Sequence, residues 1–406
     1  MSLVAMMQIT DLKQEQKTPP LLRLGFRPFF LFGSIFAVFS ILVWILFLDG
    51  SVTFSPFGGS FWWHIHEMLF GFFIAIIAGF LLTAVQNWTG MPGVKGKTLL
   101  LLVVIWAFGR LVMFVPELLG QTISSIIDIS FLPLVAFILA KPIWAIKQYR
   151  NLFFVPLLIL FSLINIQMHI VVYSPELVTL KSSGYAGVMM ITFLISVMAG
   201  RVTPMFTANG TKTAKASPSP VLDKLANGSI AVLGLLLILT PFFSVNTTVF
   251  GVIAIFAGIA QLSRQFKWRP WITFNVALLW SLHSGILLLG IGLIVLGASY
   301  IVGGLALNHA WHLLTIGAMA TTVLAMIARV SLGHTGRALV PPKLMSVAFI
   351  GLIISALVRT FAPWLWPEHY TLMINIAGYT WIAAFMIFVF FYGPMMLTPR
   401  VDGRPG

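Results

Sequence analysis

Residues 61–80 read FWWHIHEMLFGFFIAIIAGF. Beyond Glu67 this run carries no charge and little polarity. A hydrocarbon core about 30 Å thick takes roughly 20 apolar residues in a helix. The stretch therefore reads as a membrane span with His64, His66 and Glu67 at one end, where each is costly to place. A span that keeps such groups has a use for them.

Eleven further segments have the same character. Together the spans are expected near 28–48, 63–86, 98–116, 121–146, 152–172, 185–206, 226–244, 247–263, 271–296, 302–328, 345–362 and 371–397. TPFFSVNTT (240–248) has to serve as the turn between the seventh and eighth. Composition agrees, with 59 % hydrophobic and only 8 % charged residues, against about 25 % charged in soluble domains. The fold class is all-α: a polytopic bundle of about 12 transmembrane helices.

The basic residues orient the bundle. With the N-terminus in the cytoplasm, 24 lysines and arginines distribute over the loops. All but Arg110, Lys181 and Arg359 fall on the cytoplasmic side, from Lys13 in the leading segment to Arg404 at the end. That is the positive-inside pattern, and it predicts both termini in the cytoplasm. The net charge of +14 is spread between spans rather than gathered in a patch, so it signals topology and not nucleic acid. The first 20 residues lack an apolar signal core, so the first span is expected to direct its own insertion. The chain reads as one integral membrane domain over 1–406. Two halves of six spans, 1–206 and 226–406, are joined by a flexible cytoplasmic loop at 207–225.

There are no cysteines. Disulfides, thiolate metal sites and Cys-attached haem are excluded. Histidine is the remaining ligand of interest, since neutral imidazole binds haem iron and copper. On the expected spans, His64, His66, His169, His309 and His312 lie in the outer half and His283 near mid-depth, while His334 and His369 fall in loops. His309 and His312 are three apart, hence on one helix face. His64 and His66 are about 200° apart around a helix, so they serve two sites on opposite sides, or one ion if the segment is a turn. A lone His169 could instead bond a neighbouring carbonyl. Glu67 could orient an imidazole, relay protons as a catalytic group, or sit in a helix first turn. Arg110 and Arg359 could meet carboxylates of a cofactor or snorkel to the interface. Asp128 could pair with Arg110 or line a polar path.

Several motifs together, FRPFFLFG (26–33), WHIHEMLFGF (63–72), QNWTG (86–90), GRVTPMFTANG (200–210) and NHAWHLLTIGAMATTVLAMIARVSLGHTGRAL (308–339), resemble the NnrS family of bacterial haem- and copper-containing membrane proteins. The resemblance implies an inner-membrane protein with b-type haem and copper that handles nitric oxide in denitrification or nitrosative stress. A quinol or other electron donor would be a partner. Any activity would be that of a haem/copper oxidoreductase acting on nitric oxide. By motif it brings forward His64, His66, Glu67, Arg201, Asn209, His309, His312, Arg329, His334 and Arg337. The expected site sets haem in the outer half of the bundle, with His64 or His66, His309 or His312, and His283 as ligands. Arg110 and Arg359 stand by its carboxylates. The remaining histidines, with His169 and Met168 or Met319, would hold copper. SLGHTGR (331–337) reads as a loop lock. The rivals are a 12-span secondary transporter, whose purified protein would be colourless, and a quinone-linked haem oxidoreductase without a tie to nitric oxide. A third is a scaffold for other metalloenzymes.

Overall fold

The computed structural model describes residues 16–406; Lys13, counted above with the leading segment, lies outside them. Among the described residues, 12 helices are long and apolar enough to cross a membrane. They are α1 (Phe26–Leu48), α2 (Ser60–Thr89), α3 (Gly96–Phe114), α4 (Gln121–Ala145), α5 (Tyr149–Tyr173) and α6 (Leu180–Thr211), followed by α7 (Pro220–Ile238), α8 (Thr247–Phe266), α9 (Ala277–Ile301), α10 (Leu307–His334), α11 (Lys343–Leu365) and α12 (Tyr370–Leu397). Large apolar side chains such as Phe137, Phe242 and Phe390 stand outward, as the wall of a bundle in lipid requires. The protein is a multi-pass membrane protein.

Both ends of the described chain meet on one face. The Arg27 guanidinium donates to the carbonyls of Met396 at 2.9 Å, Thr398 at 2.8 Å and Gly406 at 2.9 Å. This is called the terminal face below, and its opposite the far face. Odd-numbered helices run from the terminal to the far face, and even-numbered ones return.

Burial separates the helices into two groups. In α2, α6 and α10, 83 %, 72 % and 72 % of the apolar window is buried, and no other helix exceeds 56 %. These three form the centre and the other nine surround them. Each central helix follows the last by four spans.

Two central helices share a local irregularity. In α2 a π-helical segment covers Glu67–Phe73, and in α10 one covers Leu313–Ala320. Each starts directly after a histidine, His66 or His312, and each has a glycine five residues beyond that histidine, Gly71 or Gly317. Such segments loosen the backbone ladder and gather at functional sites. In α2 one carbonyl is taken up from outside the helix, as the Trp106 indole donates to Gly71 O at 2.9 Å.

Several boundaries differ from the sequence expectation. Helix α7 begins at Pro220 rather than 226, because proline suits a first helical position, and it ends at Ile238 ahead of Pro241, which cannot continue it. Asn246 then caps α8, its side chain accepting from Val249 N at 3.1 Å. Helix α9 starts at Ala277 rather than 271, since Pro270–Thr273 is a separate 3-10 turn after a left-handed Arg269. Helix α10 starts at Leu307 rather than 302, because Gly303 and Gly304 hold φ of 76° and 84°. Helix α6 runs on to Thr211, which shortens the expected 207–225 loop to residues 212–219.

Candidate functional site

These shifts relocate the histidines. The later start of α10 puts His309 and His312 in its first turns at the far face, level with His64 and His66 of α2. The later start of α9 puts His283 in its second turn, near the terminal face. The mid-depth placement of His283 is thereby corrected. Its Nε2 faces Thr207 Oγ1 at 2.9 Å and its carbonyl accepts from Gln265 Nε2 at 2.6 Å. It is not a neighbour of the far-face histidines.

His64 and His66 leave opposite sides of α2 and enter two different sites. The side holding His64 is a cavity of about 860 Å³ between α1, α2, α6, α10, α11 and α12. Its size falls in the usual range for ligand pockets. Its wall is largely apolar and aromatic, with Trp44, Phe73, Trp311 and Trp381 among the lining residues. The polar groups that reach it include His64, His312, Arg359 and Lys181.

The two cavity imidazoles are oriented from behind. His312 Nδ1 donates to the carbonyl of Asn308 one turn earlier, which fixes the tautomer and leaves Nε2 with a lone pair. His64 stacks on Trp44, with ring centroids 4.2 Å apart and planes 12° from parallel. Its Nδ1 is buried and has no hydrogen-bond partner among the described residues.

His309 and His312 have different surroundings, despite the three-residue spacing. Arg359 Nη1 donates to His309 Nδ1 at 2.6 Å, and Arg359 in turn borders the cavity while His309 does not. His309 stands behind the wall and holds the guanidinium in place.

The side of α2 holding His66 is a closed polar network contributed by α2, α3, α4 and α5. His66 Nδ1 lies 2.9 Å from Glu67 Oε1, and its Nε2 lies 2.9 Å from Asn165 Oδ1 and 3.1 Å from Asp128 Oδ2. His169 Nε2 lies 3.0 Å from the same Asp128 oxygen. Arg110 donates to Glu67 Oε1 at 2.7 Å and also to Asp128 Oδ1. Trp62 covers the group, stacked on His66 at 4.3 Å and donating to Met168 O at 2.7 Å. All six polar residues are buried.

This network bears on three expectations. Arg110 does not border the cavity but is matched by two carboxylates. Asp128 pairs with Arg110, the first of its two expected alternatives. Glu67 is fully buried rather than near the outer surface, held by Arg110 and His66. His66 and His169 also lie in the network rather than in the cavity. Neither Met168 nor Met319 borders the cavity, whereas Met68 does.

A sequence model described as "NnrS protein" matches residues 20–400, nearly the whole chain. The chain belongs to the NnrS family. No curated protein matches it. Of the residues carried over from the NnrS motifs, the four at the far ends of α2 and α10 with Glu67 occupy or support the two sites. The others gather at the terminal face. There Arg201 bonds Asn151 Oδ1 at 3.2 Å, Arg329 lies over the Phe206 ring at 3.8 Å, and Asn209 is exposed.

The NnrS segment 331–337 is tied down by the chain end. Arg400 donates to His334 O at 3.0 Å and Val401 N to Thr335 O at 3.2 Å. Arg400 also clasps Asp402 with contacts of 2.9 and 2.6 Å, and that guanidinium holds the Asp402 carboxyl down at about 2.

Sequence reasoning missed Asn165, Trp44 and Lys181. Lys181 carried a signal, as one of only three cations breaking the charge rule. All three of those exceptions sit at the two sites.

Proposed function

We propose that the protein is a haem- and copper-carrying inner-membrane protein of nitric oxide metabolism or nitrosative-stress resistance, with haem in the α1–α2–α6–α10–α11–α12 cavity. Membership of the NnrS family fits such a role at the level of the family. The observation that carries the reading is the pair His64 and His312, brought from helices far apart in sequence to one apolar cavity.

The residues present fit a haem. Axial imidazoles are the usual protein ligands of a b-type haem. A neutral His312 with Nδ1 bonded to a carbonyl is in the tautomer that binds metal through Nε2. The tryptophans suit a flat apolar macrocycle, and Arg359 and Lys181 suit its two carboxylates. Bound haem supplies an iron centre with affinity for nitric oxide. The chain keeps that centre dry, and its apolar wall admits a small apolar gas from the lipid. Arg359, fixed by His309, holds positive charge at one margin of the cavity.

The basic-residue bias supports both termini in the cytoplasm, with the cavity beneath the periplasmic surface. The chain has no cysteine, so single cysteines report sidedness directly. Lys215→Cys should react with an impermeant reagent only when the cytoplasmic side is open.

The direct test is absorption of the purified full chain. A Soret band that shifts on adding nitric oxide is expected. A colourless protein that takes up no added haem would contradict the reading.

A further inference from the structure

The three central helices divide the bundle into three compartments. The cavity fills the one between α10 and α2, walled by α11, α12 and α1. The ion network lies on the other side of α2, among α3, α4 and α5. The third compartment lies between α6 and α10 and is closed by α7, α8 and α9, each packed on the next. It too is polar, and neither site described above uses it.

Its polar side chains begin at the terminal face. The Asp223 side chain, at the start of α7, is 43 % exposed and lies 3.3 Å from the buried Arg264 of α8. Arg264 donates onward to Ser196 O at 2.7 Å and to Gln261 Oε1 at 2.8 Å. One turn from Gln261, Gln265 Nε2 donates to the carbonyl of His283 at 2.6 Å, and the His283 ring meets Thr207 of α6. Thr203 lies one turn deeper on α6. Gly285, two residues beyond His283, packs flush on Thr322 of α10. Thr322 is near the middle of its helix, two residues past the π segment that follows His312.

Six buried polar atoms in this set have no partner among the described residues: Gln261 Nε2, Arg264 Nε, Gln265 Oε1, His283 Nδ1, Thr203 Oγ1 and Thr322 Oγ1. Buried polar atoms without partners are costly and call for a bound species. The contacts fix their roles. Gln261 Oε1 already accepts, so its nitrogen is the free donor, and Arg264 Nε is a donor as well. Gln265 Nε2 already donates, so its oxygen is the free acceptor. The hydroxyls and the imidazole serve in either sense. A bare cation would be repelled by two donors, one of them charged. An anion would meet Gln265 Oε1, and the Arg264 charge is already matched by Asp223. Water both donates and accepts, and a site with several polar partners is the kind that holds it.

We propose that this compartment holds a chain of buried waters on Gln261, Gln265, His283, Thr203 and Thr322 that admits protons from the terminal face to the middle of α10. Polar side chains inside a span mark such paths. Each water or hydroxyl that takes up a proton on one side releases one on the other, so nothing is consumed. The path ends on the helix whose His312 and Thr315 border the cavity. It needs neither haem nor copper to form, so it stands apart from the reading of the cavity.

The chain has no cysteine, so one introduced thiol gives the only S–H infrared band. Thr322→Cys in the full chain is transferred to heavy water, and the change from S–H to S–D is timed. Ser162→Cys is the reference, since that hydroxyl is buried in α5, outside the compartment, and bonds the Leu158 carbonyl of its own helix. A thiol in a dry site exchanges only when the helices open locally, so exchange at Thr322→Cys is expected to be about tenfold or more faster than at Ser162→Cys. Adding His283→Leu, which fills the path with an apolar side chain, should slow it by about tenfold. Gln265→Leu takes its place if that protein does not fold. Equal exchange rates at the two thiols would overturn the inlet. Fast exchange that neither leucine slows would overturn it too, since water would then enter by another route.

Discussion

Arg359 Nη1 lies 2.6 Å from His309 Nδ1, so a histidine behind the cavity wall accepts a hydrogen bond from the cation that borders it. A charged donor loses about 1.5–3 kcal/mol when its partner is removed. His309→Ala should therefore loosen Arg359 and weaken haem retention by about tenfold or more. His309→Gln, which keeps an acceptor, should recover most of it. Equal haem retention in all three proteins would show that the contact does not serve the cavity.

Removing the cation from the buried network leaves two like charges stranded. Arg110→Met exposes Glu67 and Asp128 to each other without compensation, which costs about 3–5 kcal/mol in a buried setting. Its melting temperature in detergent should fall sharply. The double variant Arg110→Met with Asp128→Asn should regain part of the loss. Independent, additive effects would mean that the two side chains are not coupled.

The π segment of α2 is closed to any added carbon. A Cβ at Gly71 would lie 2.5 Å from Phe36 Cε1 and 2.9 Å from Glu67 Oε2. At Gly317 the nearest atoms stand at 3.3–3.4 Å. Overpacking of the first kind costs about 1–3 kcal/mol. Gly71→Ala should be clearly destabilised and Gly317→Ala only mildly, as thermal denaturation would show. The reverse order would contradict the packing described for α2.

His283 makes a complementary case. It bonds Thr207 near the terminal face, away from both sites. His283→Ala should lose about 1 kcal/mol of stability, the worth of one hydrogen bond, and keep full haem and copper. A loss of the Soret band in this variant would mean that it joins the cavity after all.

The spans were legible because lipid imposes length and apolarity directly on the sequence. The polar sites were legible only in part. The 200° between His64 and His66 correctly divided them between two sides of α2, since that angle depends on helix geometry alone. The depth of His283 was misread because a 3-10 turn at Pro270–Thr273 looks, by hydropathy, like the start of a span. The spacing of His309 and His312 put both on one helix face and could not tell which of them reaches the cavity; Arg359 from α11 takes His309, and contacts between distant helices leave no local trace. Asn165 was overlooked for the same reason, as one amide in an apolar span means nothing until Asp128 is seen beside it.

The central claim is that His64 and His312 converge on one cavity to hold haem. Its most direct test is the haem content of purified His64→Ala and His312→Ala beside the wild type, each checked for a single monodisperse species. The account predicts about tenfold or greater loss of haem in His312→Ala and a clear loss in His64→Ala. Wild-type haem in both variants would contradict it.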